Sequence, residues 1–330
     1  MTNPAITRGF VTMATGDEKY YKFARNLLYS YRLHNKILPF AIICDRENEY
    51  TKEFDDVVVI NASATYSDKF RVLVDSPYDE TVFIESDCLV YHNLAEMFEL
   101  LASGDDFTAF GVNDDDIKVW FSKPEQLTGR FGDLFASIPV YNPGYLFIRK
   151  SPLTEKIYHD TTTVSEWLIK NRPNDGKISL FTKGMLRDDV VFSMVMKLNG
   201  CRCVAHPSVG KCIYYPNTII ITRINVVNGK LDVIQDKEYH NCNILHFSSR
   251  RCLEEGLYLQ QSMMLKMYEK HYPKWIISWT GLRITYLKYN FFRKVRNRIR
   301  EWTRWINRRN NVCQYHNSRL QLRKISGGLP

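Results

Sequence analysis

The stretch TVFIESDCLVYHNLAEMF, residues 81–98, limits the possible folds more than any other part of this chain. It opens on Val82-Phe83-Ile84, a run with no polar face, which reads as a buried strand. A buried strand of this kind is at home in a parallel sheet covered by helices on both sides. The run then breaks into Glu85, Ser86 and Asp87 before Leu89-Val90 restores apolar character. Similar short runs come earlier. RGFVTMAT (8–15) predicts a first strand, LPFAIICD (38–45) a second and DVVVINA (56–62) a third, with ETVFIESD (80–87) as the fourth. Between the first two lies DEKYYKFARNLLYSYRLH, where Tyr20, Phe23, Ala24, Leu27, Leu28 and Tyr31 recur at helical spacing. Strand, helix and strand in this order predict βαβ construction and a largely parallel sheet.

Further along, KFRVLVDS predicts a helix and FTAFGV (107–112) a strand. VYNPGYLFIRKS (140–151) predicts a turn followed by a strand, and TTTVSEWLIKN (161–171) a helix. RDDVVFSMVMKLNG (187–200) predicts a helix whose two aspartates sit at its positive N-terminal end and which closes at Gly200. NCNILHFSS (241–249) is a last short strand with a histidine and two serines at its end. From about residue 256 the pattern becomes helical, aromatic and basic. The expected division is therefore an α/β domain over 1–256 and a helical, basic-aromatic region over 257–330.

Charge separates the same two regions. Residues 271–330 hold fourteen lysines and arginines and one glutamate, Glu301, a net of +13, so a total of +9 leaves the rest at −4. Within 275–309, Phe291, Phe292, Val295, Ile299, Trp302 and Ile306 fall at three- or four-residue steps among basic side chains. Such a stripe suits a helix lying on an anionic membrane surface. A helix packed on the body with a solvated basic face is the plainer alternative, and no nucleic-acid module accompanies the segment. No run of about 18 uncharged apolar residues occurs, and no leader-like segment opens the chain, so a membrane span and a signal peptide are not expected. The eight cysteines are irregularly spaced, which suits a reducing, cytoplasmic setting, and the basic stripe adds peripheral membrane contact to that expectation. Cys201, Cys203 and Cys212 with His206 or His240 lack the C-x2-C spacing of a structural zinc site.

Glu85 and Asp87 close a strand at the end where ligands of open α/β sheets bind. Two carboxylates there fit a hard divalent cation whose shell is completed by phosphates and water. Taken alone, an acidic-x-acidic triplet is more often a turn without a ligand. Its surroundings resemble the metal-binding strand end of nucleotide-sugar glycosyltransferases of the GT-A fold. The likeness is strongest to the retaining family that holds glycogenin and the lipooligosaccharide galactosyltransferases, glycosyltransferase family eight. Other segments match in the family's order. FVTMATGDEKYYKFARNLLYSYR resembles the opening that holds the nucleotide, and Lys69 stands sixteen residues before Glu85 as the family's lysine does. YNPGYLFIRKS resembles the Asn-x-Gly strand, RDDVVFS the Asp-Gln segment and ILHFSS the third metal ligand. The sequence departs from the family in three places. Glu85 replaces an aspartate, Asp189 stands where the family has glutamine, and Arg250 and Arg251 occupy the region of an absent Gly-x-x-Lys-Pro-Trp.

The resemblance implies a GT-A fold and transfer of a hexose, with retention, from a UDP-sugar to a glycan, glycolipid or polysaccharide. It implies Mn²⁺, or Mg²⁺, on Glu85, Asp87 and His246, and the imidazole favours manganese. Ala14, Thr15 and Tyr20 would lie near uracil and ribose. Lys69, Ser86, Gly144, Arg250 and Arg251 would join them in holding the donor. Asn142, Asp188 and Asp189 would act at the sugar, Asp189 as a stabiliser of, or nucleophile toward, an oxocarbenium-like centre. An inverting transferase with Asp189 as general base is one alternative. A non-catalytic sugar-nucleotide or membrane-binding module of the same fold is another. The sequence does not set an oligomeric state.

Overall fold

A computed structural model describes residues 5–63, 66–127, 129–135, 137–141, 144–171, 180–182, 185–204, 220–235, 238–247 and 257–279. Of the expected site residues, Asn142, Arg250 and Arg251 lie outside these, as do Cys212, His206 and the basic segment beyond 279.

The α/β expectation holds. The first strands are β1 (Arg8–Ala14), β2 (Phe40–Cys44), β3 (Asp56–Val59) and β4 (Glu80–Ile84), and they run parallel in the spatial order β3-β2-β1-β4. β5 (Cys88–Val90) leaves this sheet. Next come β6 (Phe107–Thr108), β7 (Gly111–Asp116), β8 (Ser137–Tyr141) and β9 (Tyr145–Arg149). β9 closes the main sheet antiparallel to β4, and β6 pairs antiparallel beyond it.

Side chains alternate across the sheet, so each strand feeds two cores. Val11, Ala41, Ile43, Phe83, Leu146 and Ile148 point to one face. Covering that face are α2 (Val72–Asp75), α4 (Pro152–Asn171) and α5 (Asp188–Leu198). Phe10, Phe40, Ile42, Val82 and Phe147 point to the other, under α1 (Glu18–His34) and α3 (Ala95–Ala102). Glu80 starts β4 only 3% exposed because Arg8 and Arg149 reach its two oxygens at 2.7 and 2.8 Å. Gly9 has no room for a side chain, since a Cβ there would come within 2.2 Å of the Tyr78 ring. That ring passes beneath β1 to place its hydroxyl 2.9 Å from Asp56, and so ties β3 to the start of β4.

Three expectations are corrected. In α1 the inward tyrosine is Tyr21 and not Tyr20: Tyr21 is fully buried, and Tyr20 stands 41% exposed. α4 begins at Pro152, nine residues before the expected start. Pro152 is at home in a first turn, and Ser151 and Thr154 cap each other there. The strand expected over 107–112 is two, because Gly111 leaves the main sheet to pair with Tyr141 in a separate ribbon.

The remaining strands are β10 (Phe181–Thr182), β11 (Met185–Leu186), β12 (Ile220–Asn225), β13 (Lys230–Gln235), β14 (Glu238–Asn241) and β15 (Ile244–His246). β12, β13 and β14 form an antiparallel sheet of their own, and β15 pairs antiparallel with β5. α6 (Leu257–Glu269) buries Tyr258, Met264 and Leu265 against Leu89, Leu231 and Leu245. Asn26 of α1 donates to Ser262 at 2.6 Å and to the Tyr258 hydroxyl at 3.2 Å, which docks this helix on the α/β body.

Candidate active site

Because β1 to β4 are parallel, their C-terminal ends meet along one edge of the sheet. β9 enters at the same edge: Tyr145 pairs with Ile84, and the Glu85 amide donates to the Gly144 carbonyl at 2.9 Å. Gly144 therefore lies beside Glu85. The chain then turns, and the Cys88 amide donates to the Glu85 carbonyl at 3.1 Å. This tight turn carries the Glu85 and Asp87 side chains toward one spot, instead of leaving them on a regular strand.

β15 supplies what faces them. In the β5–β15 ladder His246 is paired with Cys88, and the Phe247 amide donates to the Asp87 carbonyl at 3.1 Å. His246, 2% exposed, directs Nε2 at Glu85 Oε2 (2.7 Å) and Asp87 Oδ1 (3.1 Å). Burial works against a charged imidazole, but the two carboxylates outweigh it and raise the pKa of His246 to about 10.

The other Glu85 oxygen is taken by Lys69, whose ammonium also binds Asp188 at the start of α5. Burial would keep Glu85 neutral, yet Lys69 and His246 together lower its pKa to about 2. Asp188 is shifted the other way. Burial and the neighbouring Glu85 and Asp189 charges raise its pKa, and Lys69 offsets this only in part. Asp68 precedes Lys69 in a 3₁₀ turn over Tyr66–Arg71. Asp68 is 6% exposed and accepts from the Ser63 amide (2.9 Å), the Ser63 hydroxyl (2.8 Å) and Thr15 Oγ1 (3.3 Å). The ends of β1 and β3 are thereby fastened to the segment that carries the lysine.

Thr15 and Ala14 thus stand at the same sheet edge as Glu85. Beside them Asp45, after β2, accepts from the Tyr21 hydroxyl, from the Gly16 amide at 3.3 Å and from Arg46 at 2.7 Å. Tyr20 stands exposed on α1, its ring 4.9 Å from Lys19 Nζ. Ser86 is nearly buried within the turn.

Asp189 does not join the Lys69 cluster. Its carboxylate is held by the Arg187 guanidinium, and Oδ1 also accepts from the Val190 amide at 3.0 Å. Arg187 in turn lies 5.3 Å from the centre of the Trp120 ring. The sequence reading did not single out Arg187, Asp68, Asp45 or Cys88. Their only local signal was adjacency: Arg187 precedes two acids, and Cys88 follows one.

Lys69, Glu85, Asp87, Asp188 and His246 come from four separate segments and form one chain of contacts. Half-buried carboxylates meeting a buried imidazole fit a divalent cation, and the ligand-capable atoms of Asp87, Cys88 and His246 lie within 4.8 Å of one another. Cys201 and Cys203, which lack the spacing of a structural zinc site, are packed in an apolar core.

No family model matches the sequence, and no curated protein matches it either. Among solved structures it is similar to the glycosyltransferase GlyE of Streptococcus pneumoniae TIGR4, at 16% identity and a TM-score of 0.40, over 61% of this chain and 45% of that one. It is similar to the bifunctional glycosyltransferase WbbM at 13% identity and a TM-score of 0.45, over 75% of this chain and 47% of that one. The galactosyltransferase LgtC, in complex with donor and acceptor sugar analogs, is similar at 12% identity and a TM-score of 0.43, over 78% of this chain and 94% of that one. The chain thus spans less than half the length of the first two. Among the described residues no helix is long and apolar enough to cross a membrane.

Proposed function

We propose that this chain is a metal-dependent glycosyltransferase that moves a hexose from a nucleotide sugar, a UDP-sugar in the first instance, to a glycan, glycolipid or polysaccharide, with retention. The observation that carries this reading is the contact chain Asp188–Lys69–Glu85–His246–Asp87 at the C-terminal edge of a parallel sheet. An acidic, imidazole-bearing cluster at that edge suits a cation bound to a diphosphate, because ligands of such sheets bind there.

In this reading Asp87, Glu85 and His246 hold the ion, Mn²⁺ before Mg²⁺. When bound, it neutralises charge developing on the leaving diphosphate. Lys69 adds a fixed positive charge beside the phosphates, joined by Arg250 and Arg251. Ala14, Thr15, Tyr20, Ser86 and Gly144 line the donor. Asn142, Asp188 and Asp189 serve the sugar. The region 275–309 brings the protein to an anionic membrane surface. Support for this last point comes from Tyr268, Tyr272, Trp275 and Trp279, which stand exposed at the approach to the basic segment, beside Lys270 and Lys274.

The test is a screen of UDP- and GDP-sugars for hydrolysis and transfer with and without Mn²⁺. Turnover of at least one donor that is abolished by chelation and restored by the ion is expected. Tight binding of a nucleotide sugar with no turnover in any metal would make the chain a binding module instead.

A further inference from the structure

Cys88 is fully buried at the edge of the apolar core under α1, beside the charged cluster. The turn of residues 85–88 ends on it, and in the β5–β15 ladder it sits opposite His246. Residues directly opposite each other on antiparallel strands project to the same face, so the thiol and the imidazole share a side. Val90 and Ile244 form the next such pair and belong to the apolar core under α1. Cys88 thus marks the point where that core gives way to the charged cluster. Its sulfur, a carboxylate oxygen of Asp87 and a ring nitrogen of His246 all lie within 4.8 Å of one another, the one such group among the described residues. Two ligands of a single zinc ion can be no further apart than two metal–ligand bonds, about 4.4 Å for sulfur and nitrogen. In a tetrahedral site the two stand about 3.6 Å apart, so the group draws in by up to about 1.2 Å on binding. The other described cysteines, Cys44, Cys201, Cys203 and Cys242, are buried too, and none belongs to such a group.

We propose that Cys88 is a ligand of this site, so that it takes a thiophilic divalent cation, Zn²⁺ or Cd²⁺, more tightly than an all-oxygen and imidazole site would. This rests on the metal-binding reading above and concerns which ion the cluster selects. Sulfur is the softest donor in the set, and softness of the ligands is what separates zinc and cadmium from manganese and magnesium. On binding, the thiol proton passes to solvent and sulfur donates to the ion, with no change of oxidation state. Zn²⁺ then displaces Mn²⁺ from the intact protein.

The experiment uses the full chain stripped of metal, with Zn²⁺ and Co²⁺ as probes. X-ray absorption of the zinc-loaded wild-type protein is expected to show one sulfur at about 2.3 Å beside nitrogen and oxygen neighbours. The cobalt-loaded protein is expected to show thiolate-to-metal charge transfer in the near ultraviolet. Cys88→Ser and Cys88→Ala should each lose that band and bind Zn²⁺ at least ~10-fold more weakly, as loss of a direct ligand should cost no less than loss of an outer-shell partner. Mn²⁺ affinity should change far less. The wild-type X-ray measurement stands even if both variants fail to fold. Metal binding with a shell of nitrogen and oxygen only overturns the proposal and leaves the metal site of Glu85, Asp87 and His246 intact. A cobalt band that survives in folded Cys88→Ser also overturns it, since another cysteine must then be the ligand. Failure to bind any of the three ions overturns both readings together.

Discussion

Glu85 and Asp87 follow a strand buried on both faces, whereas Asp188 and Asp189 begin a helix, and the two acidic pairs are held in opposite ways. At the strand end a tight turn brings both carboxylates onto one imidazole, and His246 stands 2.7 Å from one and 3.1 Å from the other. At the helix start, neighbouring residues point about 100° apart, because an α-helix has 3.6 residues per turn. Asp188 therefore reaches Lys69, while Asp189 turns to Arg187. The first pair converges on a shared space between donors. The second is split, and one member is neutralised in place. Lys69 joins the two regions, through Glu85 and Asp188. Equal acidity in sequence thus becomes a convergent candidate metal site in one place and two separately paired carboxylates in the other.

The largest effect expected from breaking this arrangement is that of Lys69→Ala. It leaves the half-buried Glu85 and Asp188 beside each other, with His246 still at Glu85, at a cost in folding stability approaching the ~3–5 kcal/mol of a fully buried pair. Denaturant unfolding measures this, and a change below about 1 kcal/mol, the range of exposed pairs, would show that the lysine braces nothing. Next come Asp87→Ala and His246→Ala, each of which should weaken Mn²⁺ binding by at least ~100-fold and remove divalent-dependent donor turnover. Full activity of either variant in Mn²⁺ would detach the strand end from metal binding. Glu85→Asp should keep more of that turnover than Glu85→Ala. Equal loss in both would mean that the length of the side chain, not its charge, is what the turn requires.

A pH series on the metal-free protein tests the same end of the cluster. His246 holds its proton to about 10 when folded, against 6.5 for a free imidazole. Its stabilising contribution is fully present below pH 6.5 and is lost as pH rises from there through about 10. Thermal melts in chelator should therefore fall across this window in the wild type and flatten in His246→Gln. Mn²⁺ should relieve the fall, because a bound ion needs the neutral ring. The smallest effect is expected at the helix start. Asp189→Asn should lower turnover yet leave UDP affinity, measured by calorimetry, within about threefold, since its side chain serves the sugar and Arg187 rather than the nucleotide. A large loss of UDP affinity would move Asp189 to the nucleotide side of the site.

The sequence by itself determined the framework. The apolar runs at 8–15, 38–45, 56–62 and 80–87 each became a strand of the parallel sheet. For the first, second and fourth, burial on both faces writes itself into consecutive residues, whereas the third is the edge strand and leaves Asp56 and Val59 exposed. The helical stripe after the first strand was legible for the same local reason, although one tyrosine was misplaced. Which of Tyr20 and Tyr21 turns inward depends on Asp45, at the far end of the next strand. The antiparallel sheet over 220–241 and the ribbon of β7 with β8 were not legible, since their pairings join segments whose local patterns announce neither partner. At the site, the sequence marked the acids, the histidine and, through family resemblance, Lys69. It could not say that Lys69 would bridge Glu85 to Asp188, that Arg187 would claim Asp189, or that Cys88 would face His246. Those choices are made over separations of two to more than a hundred and fifty residues. Charges and donors find partners by where the strands and helices deliver them, and only the tertiary structure decides that.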